Sequence, residues 1–183
     1  MMEHEGFSRK SSAAYASKVA IAKELAEQGA RAVTITAVAR TKAVDSRRIV
    51  TQVRGVQSPS GQTPTSQEYF LSSPRHRQHS AFLLIEYQML RAGFDGNPDA
   101  HGLAFALAYR HYTQLCTREP LISHERMALL IINGFSMTWR EITRGGSSSF
   151  KNQNVKVIGC WRCNTPHLAE VHMVRYTCAG CSN

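Results

Sequence analysis

Four of the five cysteines in this 183-residue chain form two CxxC pairs near its end. Cys160 and Cys163 make the first pair, Cys178 and Cys181 make the second, and fourteen residues separate the two pairs. Each CxxC makes a tight turn that directs two sulfurs at one point, and a short hairpin between the pairs would bring the second back to the first. Four thiolates around one ion suit zinc, and a site filled by protein leaves no position for water or substrate. The spacing therefore predicts one structural zinc ion per chain.

Other roles for these cysteines are less favoured. Disulfides need an oxidising compartment, and residues 1–5 lack the basic start and apolar run of a secretion signal. A redox CxxC lacks the surrounding βαβ pattern, whereas an iron–sulfur cluster uses the same four thiolates and stays an open alternative. We expect His167 and His172, which lie between the pairs, to be hairpin side chains rather than ligands. Cys116 stands apart and is expected to be a small buried apolar residue.

A second informative stretch, Val33 to Arg54, has the pattern of a helix-turn-helix. Such a motif needs a small residue in its first helix, an apolar anchor in the turn, an N-cap, and two apolar residues spaced by four on its second helix. These are, in order, Ala39, Val44, Asp45, and the pair Ile49 and Val53. Ala43 occupies a position where many such turns place glycine, because the backbone there favours positive φ.

If the second helix enters the major groove of DNA, its early exposed residues face base edges and the surrounding basic residues face phosphates. The residues expected to face bases are Ser46, Arg47, Val50 and Thr51. The residues expected to face phosphates are Arg40, Lys42, Arg48 and Arg54. An ordinary amphipathic helical hairpin with a solvated basic rim is the alternative interpretation.

The positive charge is concentrated at both ends of the chain. Of the net charge of +9, residues 1–58 carry +5, residues 59–150 carry +1 and residues 151–183 carry +3. This distribution favours a polyanion bound at the ends and protein contacts in the middle, although basic surfaces that only aid solubility would look similar. The apolar run Met127 to Ile132 is six residues, and no apolar run in the sequence is long enough to span a membrane. We therefore expect a cytoplasmic protein with no membrane contact.

The elements that position these residues are predicted to be mainly helical. A helix from Ala13 to Gln28 should end at Gly29, and a loop over residues 55–74 should be pinned by Tyr69 and Phe70. Three further helices should start at Ser73-Pro74, Asn97-Pro98 and Ser123, the first ending near Ala92. Their expected core residues include Ala81, Phe82, Leu84, Ile85, Met89, Leu90, Leu103, Phe105, Ala106, Leu107, Tyr109, Tyr112, Leu115, Met127, Leu129, Leu130, Ile132, Phe135 and Trp139.

The predicted fold class is mainly α, with an N-terminal helix-turn-helix, a helical core and a C-terminal zinc ribbon held by four cysteines. Composition divides the chain into five segments. These are a flexible N-terminus at 1–12, the helix-turn-helix region at 13–58, the helical core at 59–143, a Gly/Ser-rich linker at 144–154 and the zinc ribbon at 155–183.

Scattered motifs in one order resemble the FlhC family, the zinc-containing subunit of the bacterial flagellar master activator. The matching stretches are Glu24-Leu25, Gly29 to Arg31, Arg47 to Ile49, Arg54-Gly55, Ser58-Pro59, Gly61, Pro64, Ser66, Phe70, Ala108-Tyr109, Tyr112, Leu115-Cys116 and both CxxC pairs. The resemblance implies a DNA-binding transcriptional activator that works in a complex with FlhD, a small helical partner, and contacts RNA polymerase. It also implies that Cys160, Cys163, Cys178 and Cys181 bind zinc.

Three features differ from the usual FlhC pattern: a longer start, a Gly/Ser insert before the ribbon, and an end at Asn183, two residues after the last cysteine. They resemble FlhC-like activators of conjugative elements, so the target genes are either flagellar or conjugative.

Two other functions compete with a DNA-binding activator. A zinc hydrolase or deaminase needs HExxH, or HxE upstream of CxxC, and neither motif is present. The sequence also has no nucleophile elbow and no phosphate-binding loop, so we expect no enzymatic activity. A zinc-stabilised helical protein-assembly module that does not read DNA is the stronger alternative, but it does not explain the basic helix-turn-helix.

Overall fold

The computed structural model describes residues 3–135 and 155–182, with side chains over 13–131 and 155–182. The predicted linker at 144–154 and the core position of Trp139 lie outside the described residues. The helices are α1 Glu3–Glu27, α2 Ala32–Ala39, α3 Ala43–Arg54, α4 Glu68–Leu71, α5 Pro74–Gly93, α6 Ala100–Leu115 and α7 His124–Phe135. Two strands, β1 Val155–Gly159 and β2 Pro166–Glu170, form an antiparallel hairpin, and a single 3₁₀ turn spans Ala179–Cys181. The prediction of a mainly helical chain ending in a small cysteine-bearing unit is confirmed.

Helix α1 ends where the sequence predicts. Gly29 has a φ of 95°, and the amides of Gly29 and Ala30 donate to the carbonyls of Ala26 and Leu25 at 3.0 and 2.9 Å. These two hydrogen bonds form a Schellman motif, in which the residue with positive φ after the helix end is usually glycine. The helix begins at Glu3, ten residues before the predicted start at Ala13, because extending an existing helix adds a backbone hydrogen bond for each residue. The flexibility of residues 1–12 stays a prediction.

Helices α1, α2 and α6 approach one another closely at Gly102 on α6. A Cβ atom at this glycine would lie 3.1 Å from the Ile21 side chain on α1 and 3.4 Å from the Val38 carbonyl on α2. Ile21, Val38 and Gly102 are all buried. The α2–α3 pair is therefore packed against the helical core and is not a separate appendage.

Two of the three helix starts predicted in the helical core are confirmed, whereas α6 begins at Ala100 rather than at Asn97-Pro98. The Ser73 side chain accepts a hydrogen bond from the His76 amide and caps α5, and the Ser123 hydroxyl accepts one from the Arg126 amide at the start of α7. Phe70 is fully buried and the Tyr69 hydroxyl donates to the Leu121 carbonyl at 2.5 Å, which confirms that these residues pin the long loop. The largest fully buried side chains include Tyr87, Phe70, Phe105, Leu25, Ile35, Leu83, Leu84, Ile122 and Met127.

Two predicted core residues are instead on the surface. The buried face of α5 runs through Ser80, Leu83, Leu84 and Tyr87, so Met89 projects from another side of the helix and is 68% exposed. Leu115 is the last residue of α6 and is 67% exposed. Among the helices described, none is both long and apolar enough to cross a membrane.

The C-terminal hairpin packs against α5, and residues 155–182 are called the ribbon below. Val155 and Leu168 are buried in the same hydrophobic core as the helices. The Arg77 guanidinium on α5 donates to both carboxylate oxygens of Glu170 at 2.9 Å and to the Leu168 carbonyl at 3.2 Å. The ribbon is thus held on the helical core by apolar contact and by a two-pronged ion pair.

Candidate metal centre and candidate nucleic-acid interface

The first CxxC pair occupies the turn of the hairpin. Cys160 follows β1 directly, and its amide donates to the Thr165 carbonyl at 2.9 Å. The Asn164 amide donates a hydrogen bond to the Cys160 carbonyl at 2.7 Å, and Asn164 lies in the left-handed region at φ 59°. The sequence predicts a hairpin between the two cysteine pairs, and this is wrong: the strands flank the first pair. The reason is that the tight turn over Cys160–Cys163 itself reverses the chain.

The second pair returns beside the first through irregular chain. Cys160 and Tyr176 form an isolated bridge, and the Trp161 amide donates to the Tyr176 carbonyl at 3.0 Å. The Cys181 carbonyl accepts a hydrogen bond from the Arg162 guanidinium at 2.6 Å, which joins the second cysteine pair to the turn of the first. The four Sγ atoms all lie within 4.8 Å of one another.

The four sulfurs fit a tetrahedral metal site. Bonds of about 2.3 Å from zinc to four thiolates place the sulfurs about 3.8 Å apart, and Cys163 and Cys178 Sγ are 3.7 Å apart. The amide of Cys178 points at Cys160 Sγ from 3.3 Å, and this contact leads the lowering of the Cys160 pKa to about 6. Contacts with Cys178 and Cys163 raise the Cys181 pKa to about 12. Four thiolates packed this closely repel one another unless a cation lies between them, so these cysteines could hold a metal ion.

Neither histidine of the ribbon belongs to this cluster. In the described part of the chain, the potential metal-binding group at this point contains the four cysteines and no histidine. His167 is 3% exposed on β2 with its ring 4.8 Å from that of Tyr176, and burial followed by the charge of Arg77 lowers its pKa. His172 is exposed. Cys116 packs against the helical core, but it is half-buried rather than buried as predicted.

The turn between α2 and α3 differs in detail from the prediction. The left-handed residue is Arg40, at φ 58°, and Ala43 is already the first residue of α3. Lys42 is the N-cap, so the assignment of Asp45 as the cap is wrong; its carboxylate instead accepts a hydrogen bond from the Tyr15 hydroxyl of α1. Val44 does not anchor the turn, because it is 62% exposed. All these differences follow from a second helix that starts nearer to the turn than the sequence pattern suggested.

The buried face of α3 is the predicted one, but it also includes Ser46 and Val50. Ser46, Ile49, Val50 and the half-buried Val53 form a stripe with the i, i+3, i+4, i+7 spacing of a packed helix face. The assignment of Ser46 and Val50 to DNA bases is therefore wrong, since both side chains are fully buried.

Ser46 belongs to a small buried cluster of hydroxyls between α2 and α3. Its Oγ lies 2.8 Å from the Thr36 hydroxyl and 2.7 Å from the Thr41 hydroxyl. The same Oγ donates to the Lys42 carbonyl at 3.1 Å. Its small side chain lets the two helices cross closely, and its hydroxyl satisfies the polar groups buried there.

The exposed surface of α3 brings together only some of the remaining predicted DNA contacts: Arg47, Arg48 and Thr51 line one cavity, whereas Arg40 lines another with Asp99. The residues concerned are Arg40, Lys42, Arg47, Arg48, Thr51 and Arg54, all of which are exposed. Asp45 is the one acidic residue in α3, and it is engaged by Tyr15. This surface is consequently strongly basic, which suits a polyanion.

The comparison with known families accounts for nearly the whole chain. A family model described as "FlhC: Flagellar transcriptional activator (FlhC)" matches residues 7–183. The matched range takes in the α2–α3 pair, the helical core and the ribbon with its four cysteines. No curated protein matches the chain.

Proposed function

Because the match over residues 7–183 makes this chain a member of the FlhC family of flagellar transcriptional activators, we propose that it activates transcription by binding promoter DNA. The family is one of transcriptional regulators rather than enzymes. In this proposal α2 and α3 act as a helix-turn-helix, and α3 enters the major groove.

The observation that carries the proposal is the division of α3 into two faces. One face packs on the protein through Ile49 and Val50. The opposite face presents Arg47, Arg48 and Thr51 to solvent. A helix that is fixed on its apolar side and basic on its free side has the properties that DNA contact requires.

The ribbon has a structural role in this proposal. Cys160, Cys163, Cys178 and Cys181 would hold one zinc ion with no position left for a substrate. Bound zinc supplies folding free energy to this small unit, whose two strands are too few to be stable alone. The ribbon then stabilises the helical core through the Arg77–Glu170 contact.

We further propose that the activator works in the cytoplasm in a complex with an FlhD-like partner and recruits RNA polymerase. The nearly neutral segment 59–143 would bind the partner, while region 13–58 and the ribbon at 155–183 present the basic surfaces. The target genes are flagellar or conjugative.

A DNA-binding assay over a range of salt concentrations tests the proposal. The full chain should be measured alone and with an FlhD-like partner, on a duplex selected from a random pool and on a scrambled duplex. We expect the complex to prefer the selected duplex and to lose affinity as salt rises, because phosphate contacts release counterions. A stable complex with the partner that shows no affinity for either duplex would favour the protein-assembly module instead.

A further inference from the structure

A cavity of about 530 Å³ lies between the start of α2, the exposed side of α3 and the loop that follows α3. Arg31, Arg47 and Arg48 line it together with Thr51, and residues 57–61 of the loop form the opposite wall. No acidic side chain is among the residues that line it. This cavity is called the arginine groove below.

The walls of the groove are fixed to each other. A guanidinium nitrogen of Arg31 donates to the Gly61 carbonyl at 2.7 Å. The Ser58 hydroxyl accepts from the Ala32 amide, the first of α2, at 2.9 Å. Gly61 has a φ of 142°, which a residue with a side chain rarely adopts. The loop of residues 55–67 is therefore anchored to the start of α2, where it closes one side of the groove.

The charges in the groove select an anion with several oxygens. Three arginines line the groove beside the N-terminus of α2, which is the positive end of that helix dipole. The Nε of Arg31 is buried and has no hydrogen-bond partner in the described part of the chain, so one of its donors is still unused. The planar guanidinium group matches the spacing of two phosphate oxygens. A helix N-terminus also favours phosphate, because its partial charge is positive.

The position of the groove favours the DNA backbone over a base edge. Arg47 would read a base if its side chain projected alone from α3 into the major groove. Instead, it shares a concave site with Arg31, which belongs to the flank of the α2–α3 pair. A phosphodiester strand that passes alongside an inserted helix runs along such a flank.

We propose that the arginine groove binds a backbone phosphate of the DNA duplex, with Arg31 as a further contact and Arg47 as a phosphate contact rather than a base reader. The proposal rests on the proposed DNA-binding function and deepens it. Sequence reasoning does not find Arg31, because it precedes α2 and meets Arg47 only through the fold.

The test uses the full chain with its partner and two variants of the groove, Arg31→Gln and Arg47→Gln. Affinity is measured between about 50 and 200 mM salt on the selected and the scrambled duplex, a range over which phosphate contacts strongly affect binding. Each variant should lower the slope of log K against log salt by about 0.9 and leave the ratio of affinities for the two duplexes unchanged. Arg118→Gln removes the same charge from a different cavity and should keep the wild-type slope; because Arg118 lies in the segment proposed to bind the partner, light scattering first checks that this variant still forms the complex.

Two further variants separate charge from folding. Arg31→Lys keeps the positive charge and should keep most of the slope, and urea unfolding should show that Arg31→Gln is folded. Ser60→Glu places a carboxylate in the groove without altering an arginine, and it should weaken binding to both duplexes equally.

Several results would overturn the proposal. A wild-type slope in Arg31→Gln would mean that the groove holds no phosphate. A lower affinity ratio in Arg47→Gln, with unchanged binding to the scrambled duplex, would make Arg47 a base reader. Calorimetry with ATP in the absence of DNA tests the other source of phosphate: binding that depends on Arg31, combined with an unchanged slope, would assign the groove to a free nucleotide. If the wild-type complex binds neither duplex, the proposed function itself fails.

Discussion

Among single residues, Cys178 is best placed to test the metal centre. Its Sγ lies 3.7 Å from that of Cys163, and its amide contacts Cys160 Sγ. We expect purified protein to carry about one zinc per chain, and Cys178→Ser to lose it, because three thiolates and a water bind zinc far more weakly. Elemental analysis and visible absorption would distinguish zinc from an iron–sulfur cluster.

The remaining free cysteine supplies the control for this experiment. Cys116 is half-buried outside the cluster, so Cys116→Ser should retain the metal. Protein that contains no zinc while its ribbon is protected from proteolysis would show that the four cysteines do not need an ion.

The buried hydroxyl of Ser46 gives a second prediction. Ser46→Ala removes the group that bonds to Thr36 and Thr41, and the buried Thr41 hydroxyl loses a partner. We expect a loss of about 1–3 kcal/mol in the free energy of unfolding, measured in urea, with no change in base preference. Thr51→Ala is the matched control on the exposed side of α3 and should change stability by no more than about 0.5 kcal/mol. An altered base preference with unaltered stability would instead show that Ser46 contacts DNA.

Residues differ in how far their roles can be predicted from sequence. The convergence of the cysteines was predicted because a CxxC turn is local and its chemistry depends on residue type. The burial of Ser46 was not predicted, because Asp45 was taken as the N-cap and Ser46 as an exposed first residue. The spacing of three and seven residues to Ile49 and Val53 nevertheless places Ser46 on their face of the helix. Serine is also a residue type that surface and core both accept.

At the level of elements, the contact between α5 and β2 is the main link between the helical core and the ribbon. Arg77 binds Glu170 through two hydrogen bonds of 2.9 Å, and its side chain is 15% exposed. Arg77→Met should lower the free energy of unfolding by about 1–3 kcal/mol, because it leaves the carboxylate without its charged partner. Hydrogen exchange should increase in β2 while the zinc content stays unchanged. In a double-mutant cycle with Glu170→Gln, the absence of coupling would show that the pair does not hold the ribbon.

The same contact has a pH dependence with a definite sign. Hydrogen bonds from Arg77 lower the pKa of Glu170 from 4.5 to about 2 in the folded protein. Since the folded pKa is the lower one, the stability it contributes is complete above about pH 4.5 and is lost as the pH falls from there towards 2. The difference in unfolding free energy between wild type and Glu170→Gln should therefore be constant from about pH 7 to 5. A decrease within that range would assign the difference to another group.

Elements were predicted well where their ends have local signals. Gly29 ends α1 and Ser73 caps α5 as expected, since each residue type satisfies the backbone at that point. The strands were misplaced because the first CxxC pair was taken as an end of the hairpin rather than as its turn. The docking of β2 on α5 joins residues 93 positions apart, and no local pattern contains that information.

For the whole molecule, the central question is how one α2–α3 pair could find a promoter. A single helix-turn-helix contacts few base pairs, and specificity on the scale of a genome usually requires two half-sites related by symmetry. If the chain binds DNA as proposed, we expect it to be duplicated in an assembly. Nothing in the sequence of residues 75–143 has the heptad spacing of a self-associating coiled coil, but this segment is nearly neutral and rich in apolar residues.

The last prediction is that a small helical FlhD-like dimer supplies this duplication by collecting two or more copies of the chain. The isolated protein should be poorly soluble or bind DNA weakly, because its basic surfaces act singly and its partner-binding surface is uncovered. Co-expression with the partner should yield a stable heteromer that protects a site longer than one helical turn, measured by light scattering and footprinting. Co-expression with an unrelated small helical protein is the control and should not rescue solubility. A monodisperse monomer with nanomolar, sequence-specific affinity would contradict the prediction, since one α2–α3 pair would then suffice without a partner.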